Sequence, residues 1–203
     1  MDLQNKSGFD SRIISGQPAA KGQIPWHAGL RITKEFEIDI CGVQLGVTKW
    51  DQDMTEKITS KDTQMHENYN TWLHNDIGLI KLPRKVAVSD TVKPIRLPSR
   101  GEASSILNFV ELTTISNNDC ANFHGAIIIS SSICTVGNSE HSPCSGDSGG
   151  PLVPHQDGKD PTLVGVASFV HIAGCDSGKP SGYARVVEFL DWINGKTGIP
   201  IQD

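Results

Sequence analysis

The longest unbroken apolar run in this 203-residue chain is Ala126-Ile127-Ile128-Ile129, whereas a membrane-spanning helix needs about 20 predominantly apolar residues. The sequence therefore offers no bilayer-crossing segment. It also lacks any cluster of Lys or Arg, and acids outnumber bases 23 to 18 for a net charge of -5. Phosphate backbones are bound through concentrated positive charge, so nucleic acid is not an expected partner. Residues 2–12 (DLQNKSGFDSR) are polar and hold no apolar stretch of the kind a secretory leader uses. No His, Asp or Glu spacing suits a metal-ligand set, and neither metal nor cofactor is expected. An even cysteine count is missing as well: with 5 cysteines, one thiol is left over from any full intrachain pairing.

What is there fits a globular β chain of one domain, or of two tightly joined units. Gly and Pro, 20 and 11 residues, are too few for low complexity but enough for many turns. Short β runs sit between turn formers: Ala28 to Ile32, Ile77 to Leu82, Phe109 to Leu112 and Leu163 to Ala167. Near the C-terminus the spacing changes. Val187, Leu190 and Ile193 recur three apart beside Phe189, which predicts one amphipathic helix with Gly195 as its stop. Residues 98–105 (PSRGEASS) read as the link between two β units.

The segment richest in chemistry is Gly146-Asp147-Ser148-Gly149-Gly150-Pro151. Glycines around a serine let the backbone turn sharply and aim consecutive amides at one oxygen, as a nucleophile with an oxyanion hole requires. A Gly-rich turn with a surface serine is the plain alternative, and the neighbourhood decides between them. Cys144 stands four residues before Ser148, and Pro151-Leu152-Val153 follows it. Upstream lies Asn75-Asp76-Ile77-Gly78-Leu79-Ile80, with Arg12-Ile13-Ile14-Ser15-Gly16, Pro25-Trp26 and Cys41-Gly42 before it. Gly182-Tyr183-Ala184-Arg185-Val186 and Trp192-Ile193 close the series. From about residue 12 to about 196 the chain resembles the chymotrypsin/trypsin-like serine endopeptidases, in particular their elastase-like and insect or crustacean collagenase-like members.

The resemblance implies an all-β fold of two antiparallel six-stranded Greek-key β-barrels, both shortened here, with a C-terminal helix. Residues 1–12 would be a propeptide remnant, 13–100 the first barrel, and 101–203 the second barrel with the helix. It makes Ser148 the nucleophile, Asp76 the carboxylate that orients a histidine, and the Gly146 and Ser148 amides the oxyanion donors. Cleavage after Arg12 would release the ammonium of Ile13 to pair with Asp147. It pairs Cys120 with Cys134 and Cys144 with Cys175, and leaves Cys41 as the odd thiol. Ser142 would floor the specificity pocket, with Val170 and Ser181 as its walls. Substrate backbone would run along Ser168-Phe169-Val170. With no acid at the floor, small or medium apolar side chains are favoured over Lys or Arg.

Two pieces of the family pattern are absent from the sequence. The Thr-Ala-Ala-His-Cys segment that carries the base has no counterpart: Cys41-Gly42 runs directly into Val43-Gln44-Leu45-Gly46-Val47. The odd cysteine agrees, because the family's partner for Cys41 lies in that segment. A strand ending in Gly-Trp-Gly is missing after Arg100 to Ser104. Lost strands leave unpaired sheet edges, which put stability in question. His27, His66, His124, His141, His155 and His171 all fall in other strands or loops. His74, two residues before Asp76, is nearest, yet period two puts both side chains on one face.

The sequence thus predicts a serine endopeptidase by family whose chain, as written, is inactive or nearly so. The alternative is a non-catalytic homologue that binds or regulates. Expected partners are polypeptide substrates or protein inhibitors and an activating trypsin-like protease. The expected state is a monomer, extracellular by family and disulfides.

Overall fold

A computed structural model describes residues 19–35, 38–48, 57–98, 112–137, 141–144, 146–154 and 161–201. Among these, ten strands form three antiparallel sheets. Strands β1 (Ala28–Glu35), β2 (Ile38–Leu45) and β3 (Lys57–Ser60) pair in that order, and β4 (Thr63–Met65) pairs with β5 (Gly78–Ile80). The second half holds β6 (Thr114–Ile115), β7 (Ser132–Thr135), β8 (Pro151–Leu152), β9 (Gly165–Phe169) and β10 (Ser181–Arg185), in the spatial order β6-β7-β10-β9-β8.

Burial follows the strand period where one face is wet. In β3, Ile58 and Ser60 are buried while Lys57 and Thr59 face outward, and Val43 of β2 lies opposite Ile58. Central strands are covered on both faces instead: every residue of β7 and the first four of β10 are buried. Ile133, Leu152, Val164 and Tyr183 form the core of the second half. Burial of Tyr183, with the charge of Asp147 adding to it, pushes its phenol up to about 12.

A second cluster joins the halves. Ile77 packs against Ala184, Val186, Phe189 and Ile193, with Leu97 and Leu163 alongside. Arg96 and Thr162 form an isolated parallel bridge, with Arg96 N donating to Pro161 O at 3.3 Å and Leu163 N to Arg96 O at 2.9 Å. The Arg96 guanidinium also donates to the Thr162 hydroxyl.

Two helices are present among the described residues. The C-terminal one, α2 (Leu190–Thr197), follows a 3-10 turn over Val186–Phe189 and buries Leu190 and Ile193. Gly195 does not stop it. The helix runs on to a cap at Gly198, where φ of 72° suits glycine and its amide returns to Asn194 O. The other helix, α1 (Asn117–His124), was not foreseen in the sequence, although Ser116 and Asp119 carry its start signal. Ser116 Oγ accepts from Asp119 N at 3.1 Å and donates to Asp119 Oδ2 at 2.7 Å. Of the predicted strands, Ala28 to Ile32 lies within β1, while Ile77 to Leu82 and Leu163 to Ala167 overlap β5 and β9. Phe109 to Glu111 falls outside the described residues.

The helix α2 is tied back to the first half by one carboxylate. Glu67 forms an ion pair with Lys196 and accepts from Trp192 Nε1 at 2.8 Å, while the His66 ring stands edge-on to Phe189 and tilted to Trp192. The Lys196 contact foremost, then a backbone amide and Trp192, hold Glu67 at about 2 against its ordinary 4.5. A depressed carboxyl contributes stability above its unfolded value and loses it as pH falls through the folded one. The Glu67 carboxyl is therefore expected to titrate near 2 by NMR, and Lys196→Ala to move that midpoint upward toward 4.5.

Candidate active site

Ser148 sits at an exposed turn whose shape its neighbours impose. Asp147 N donates to Cys144 O at 3.0 Å, Gly150 N to Asp147 O at 2.8 Å, and Cys144 N to Asp147 Oδ2 at 2.8 Å. Gly146 and Gly149 adopt φ of 98° and 81°, conformations that side chains rarely take. The turn is pinned to β9 by Gly149 N to Ala167 O, 2.8 Å, and Ala167 N to Gly150 O, 2.9 Å. Among the described residues, the amides of Gly146 and Ser148 donate to no backbone carbonyl. Cys144 is bridged to Cys175, and Cys120 to Cys134.

Asp76 comes from the other half, on a loop held in unusual backbone. Leu73 and Asn75 both have positive φ, 59° and 56°, a strain typical of functional loops. Asn70 Oδ1 accepts from Trp72 N at 2.9 Å, Leu73 N donates to Asn70 O at 2.9 Å, and Asn75 Nδ2 reaches Asn68 O at 3.1 Å. A bond from Ile77 N to Asn75 O at 2.8 Å closes a three-residue turn centred on Asp76. Its carboxylate Oδ2 accepts from Ser168 Oγ at 2.6 Å.

Ser168 reaches Asp76 because of an irregularity in β9. The register pairs Gly182 with Phe169 and Tyr183 with Ala167, so Ser168 is the extra residue of a bulge. A bulge breaks the pleat and re-aims a side chain, here toward the first half. Sequence reasoning gave Ser168 only a substrate-backbone role and missed its hydroxyl.

Ser148 and Ser168 line a cavity of about 140 Å³ with Pro143, Phe169, Val170 and Gly182. Ser142 and Ser181, 2% and 1% exposed, are not part of that lining. Ser142 Oγ donates to Pro143 O at 3.0 Å, which leaves Ser181 as the donor across their 3.3 Å contact. The Phe169 ring packs so closely on Gly182 that a Cβ there would lie 2.1 Å from the ring. Val170 is the one predicted pocket residue in the lining.

A larger cavity of about 860 Å³ has Asp76 and Ser148 on its wall together with Leu30, Ile32, Leu163 and the buried Cys41, which belongs to neither disulfide. No histidine lines either cavity among the described residues. His74 turns away: Nε2 donates to Ala126 O at 3.0 Å and Nδ1 accepts from the Asn70 amide at 3.3 Å. His66 packs on aromatic rings, and His124 Nε2 donates to Pro180 O at 2.8 Å. Arg12, Ile13 and His155 fall outside the described residues.

The family profile named Trypsin matches residues 42–193, about three quarters of the chain. This chain belongs to the trypsin family. A collagenase of Hypoderma lineatum is 34% identical, the match covering 94% of this chain and 89% of that protein. A brachyurin of Leptuca pugilator is 33% identical over 77% of each. A solved structure of HL collagenase superposes with a TM-score of 0.79 at 31% identity, covering 93% of this chain and 100% of that one. The fold is accordingly the chymotrypsin-like double β-barrel with a C-terminal helix, and the chain is a serine protease by family.

Within this trypsin-family chain, the Ser168 hydroxyl is the donor that holds Asp76. Its removal leaves a partly buried carboxylate one hydrogen bond short. Ser168→Ala is expected to lower stability by about 1 to 2 kcal/mol, read as a shift in the urea unfolding midpoint at pH 7.

Proposed function

We propose that this chain is a serine endopeptidase of the chymotrypsin-like type that retains its polypeptide cleft but has lost its general base. The observation that carries this is the placement of Ser148 and Asp76 on one cavity wall with no described histidine beside them. An alcohol without a base is a poor nucleophile at neutral pH. In Ser-His-Asp enzymes, losing one member leaves about 10³ to 10⁴-fold over water from the oxyanion hole and binding. Alignment with the Hypoderma collagenase supports a lost segment: it extends over 236 positions, more than the 203 residues of this chain. The base belongs to that segment in the family pattern.

The reaction left to such a site is acyl transfer through Ser148, at or near background rate, with the Gly146 and Ser148 amides receiving the oxyanion. Substrate backbone pairs with the outer edge of Ser168 to Val170 as an added strand. The uncharged pocket favours small or apolar residues before the bond. Cleavage after Arg12 sends the Ile13 ammonium to Asp147, whose carboxylate holds the Cys144 amide in this structure. Polypeptides and protein inhibitors are the partners, and the two disulfides suit an extracellular setting. The retained cleft also favours a second role, binding polypeptide without cutting it.

The test is active-site labelling. Full chain, uncut and cut after Arg12, is treated with a fluorophosphonate, and any label is located by mass spectrometry. Ser148 is expected to label no faster in folded than in urea-unfolded protein. Rapid, pH-dependent labelling of Ser148 that unfolding abolishes would sink the loss of the base.

A further inference from the structure

The core face of the first sheet is unfinished at β1. Two cross-strand rows run over it from β3 through β2: Ile58, Val43 and Leu30 in one, Ser60, Cys41 and Ile32 in the next. Period two puts all six side chains on one face. The β3 and β2 members of both rows are 3 to 4% exposed, whereas Leu30 and Ile32 are 51% and 67% exposed. Cover is complete over β3 and β2 and stops at the last strand.

That strand is also a sheet edge among the described residues, bonded to β2 alone. Its pairing with β2 runs unbroken over all eight residues, with neither a bulge nor a proline to blunt the edge. Ala28, Gly29, Leu30, Ile32 and Thr33 make no backbone bond beyond that ladder among the described residues. The exposed charge of Arg31 lies on the face opposite Leu30 and Ile32. Below the edge opens the cavity of about 860 Å³, walled by Leu30, Ile32 and Cys41, with the exposed Met65 and Ile199 also in its lining. Its two charged lining residues are already engaged: Asp76 accepts from Ser168, and Arg96 donates to Thr162. The rest of the wall is mainly apolar, and an exposed apolar patch over such a cavity marks a place where something docks.

Edge and cavity together select one kind of occupant. The edge asks for an extended backbone that can complete its hydrogen bonds, and the unfinished face asks for apolar side chains on alternate residues of that backbone. A lipid or other small apolar molecule would fill the cavity and leave the edge unbonded. A second copy joined β1 to β1 would bond the edge, but its Leu30 and Ile32 already wall its own cavity and would fill neither. We propose that the β1 edge docks an extended segment of another polypeptide, which adds a strand to the sheet. The segment carries an apolar residue at every second position, beside Leu30 and Ile32 and over the cavity. Main-chain bonds to β1 supply affinity, and the cavity selects the alternation. The surface belongs to the first half and does not depend on peptide lying along Ser168 to Val170.

The probe is a dye-labelled peptide, Lys-Val-Thr-Val-Thr-Val-Lys, titrated with the full chain by fluorescence anisotropy at pH 7. It is expected to bind about tenfold more tightly than Lys-Thr-Thr-Thr-Thr-Thr-Lys, which lacks the apolar side chains. Successive amides of a strand point to opposite edges, so N-methylation of one alternate set, the three Val or the middle two Thr, should weaken binding about tenfold and the other set less than about twofold. Ile32→Asp should weaken it about tenfold, and Thr33→Asp, on the opposite face, less than about twofold. Amide hydrogen exchange from Leu30 to Thr33 should slow when the peptide is added. Equal affinity of the Val and Thr peptides, an equal effect of the two methylations, or slowing at Ser168 to Val170 in place of β1 overturns the proposal. So does a chain that sediments as a dimer with β1 protected before any peptide is added, which puts a second copy at the edge. Binding of neither peptide overturns it as well, and the labelling of Ser148 then still decides the loss of the base separately.

Discussion

The hydroxyl of Ser168 and the carboxylate of Asp76 meet at 2.6 Å across the junction of the two strand sets, and the remainder of the site takes its position from that contact. Neither residue is placed by local preference alone. Asp76 depends on two residues held at positive φ, and Ser168 on a bulge that interrupts an otherwise regular antiparallel pairing. Both irregularities cost conformational energy, and both are maintained by neighbours: the Asn70, Asn75 and Asn68 bonds on one side, and the Gly149 and Gly150 bonds to Ala167 on the other. The turn presenting Ser148 is fastened one residue away from the residue that grips Asp76. Ser148 and Asp76 are therefore coupled through β9.

The same junction ties the two halves together. Apolar packing between Ile77 and the segment from Ala184 to Ile193 crosses the interface, and the Arg96 to Leu163 backbone bonds cross it again. Buried apolar area is the larger contribution, at roughly 25 cal/mol per Å². The hydrogen bonds fix which residues face each other. Of the walls of the large cavity beside Asp76, Leu30 and Ile32 are more than half exposed, whereas Cys41, Ile77, Val186 and Leu190 are buried.

Much of this was legible in the residues. The Gly146 to Pro151 segment announces its turn because only glycine tolerates the φ values found at 146 and 149. Both disulfides implied by the family likeness are formed. The C-terminal helix was visible in its three-residue spacing, but its end was misjudged: Gly195 is an exposed helical position that costs little, whereas Gly198 carries the left-handed cap. Helix α1 escaped because eight residues with one fully buried side chain leave almost no periodic signal, and only Ser116 and Asp119 mark it. The bulge at Ser168 escaped for a different reason. Period-two patterning assumes an uninterrupted pleat, and nothing in Ala167-Ser168-Phe169 betrays the extra residue.

Strand β10 sits third of five in its sheet, bonded on both sides, and its two ends serve different parts of the molecule. Ser181 and Gly182 back the pocket, while Arg185 leads directly into the turn and helix that dock on the first half. A buried strand bonded on both sides draws its amide protection from the largest openings of the molecule. The pocket wall, the interface between halves and the global unfolding barrier thus share one cooperative element. Loosening the C-terminal helix would be felt as faster exchange along β10, from Arg185 beside the helix to Gly182 at the pocket.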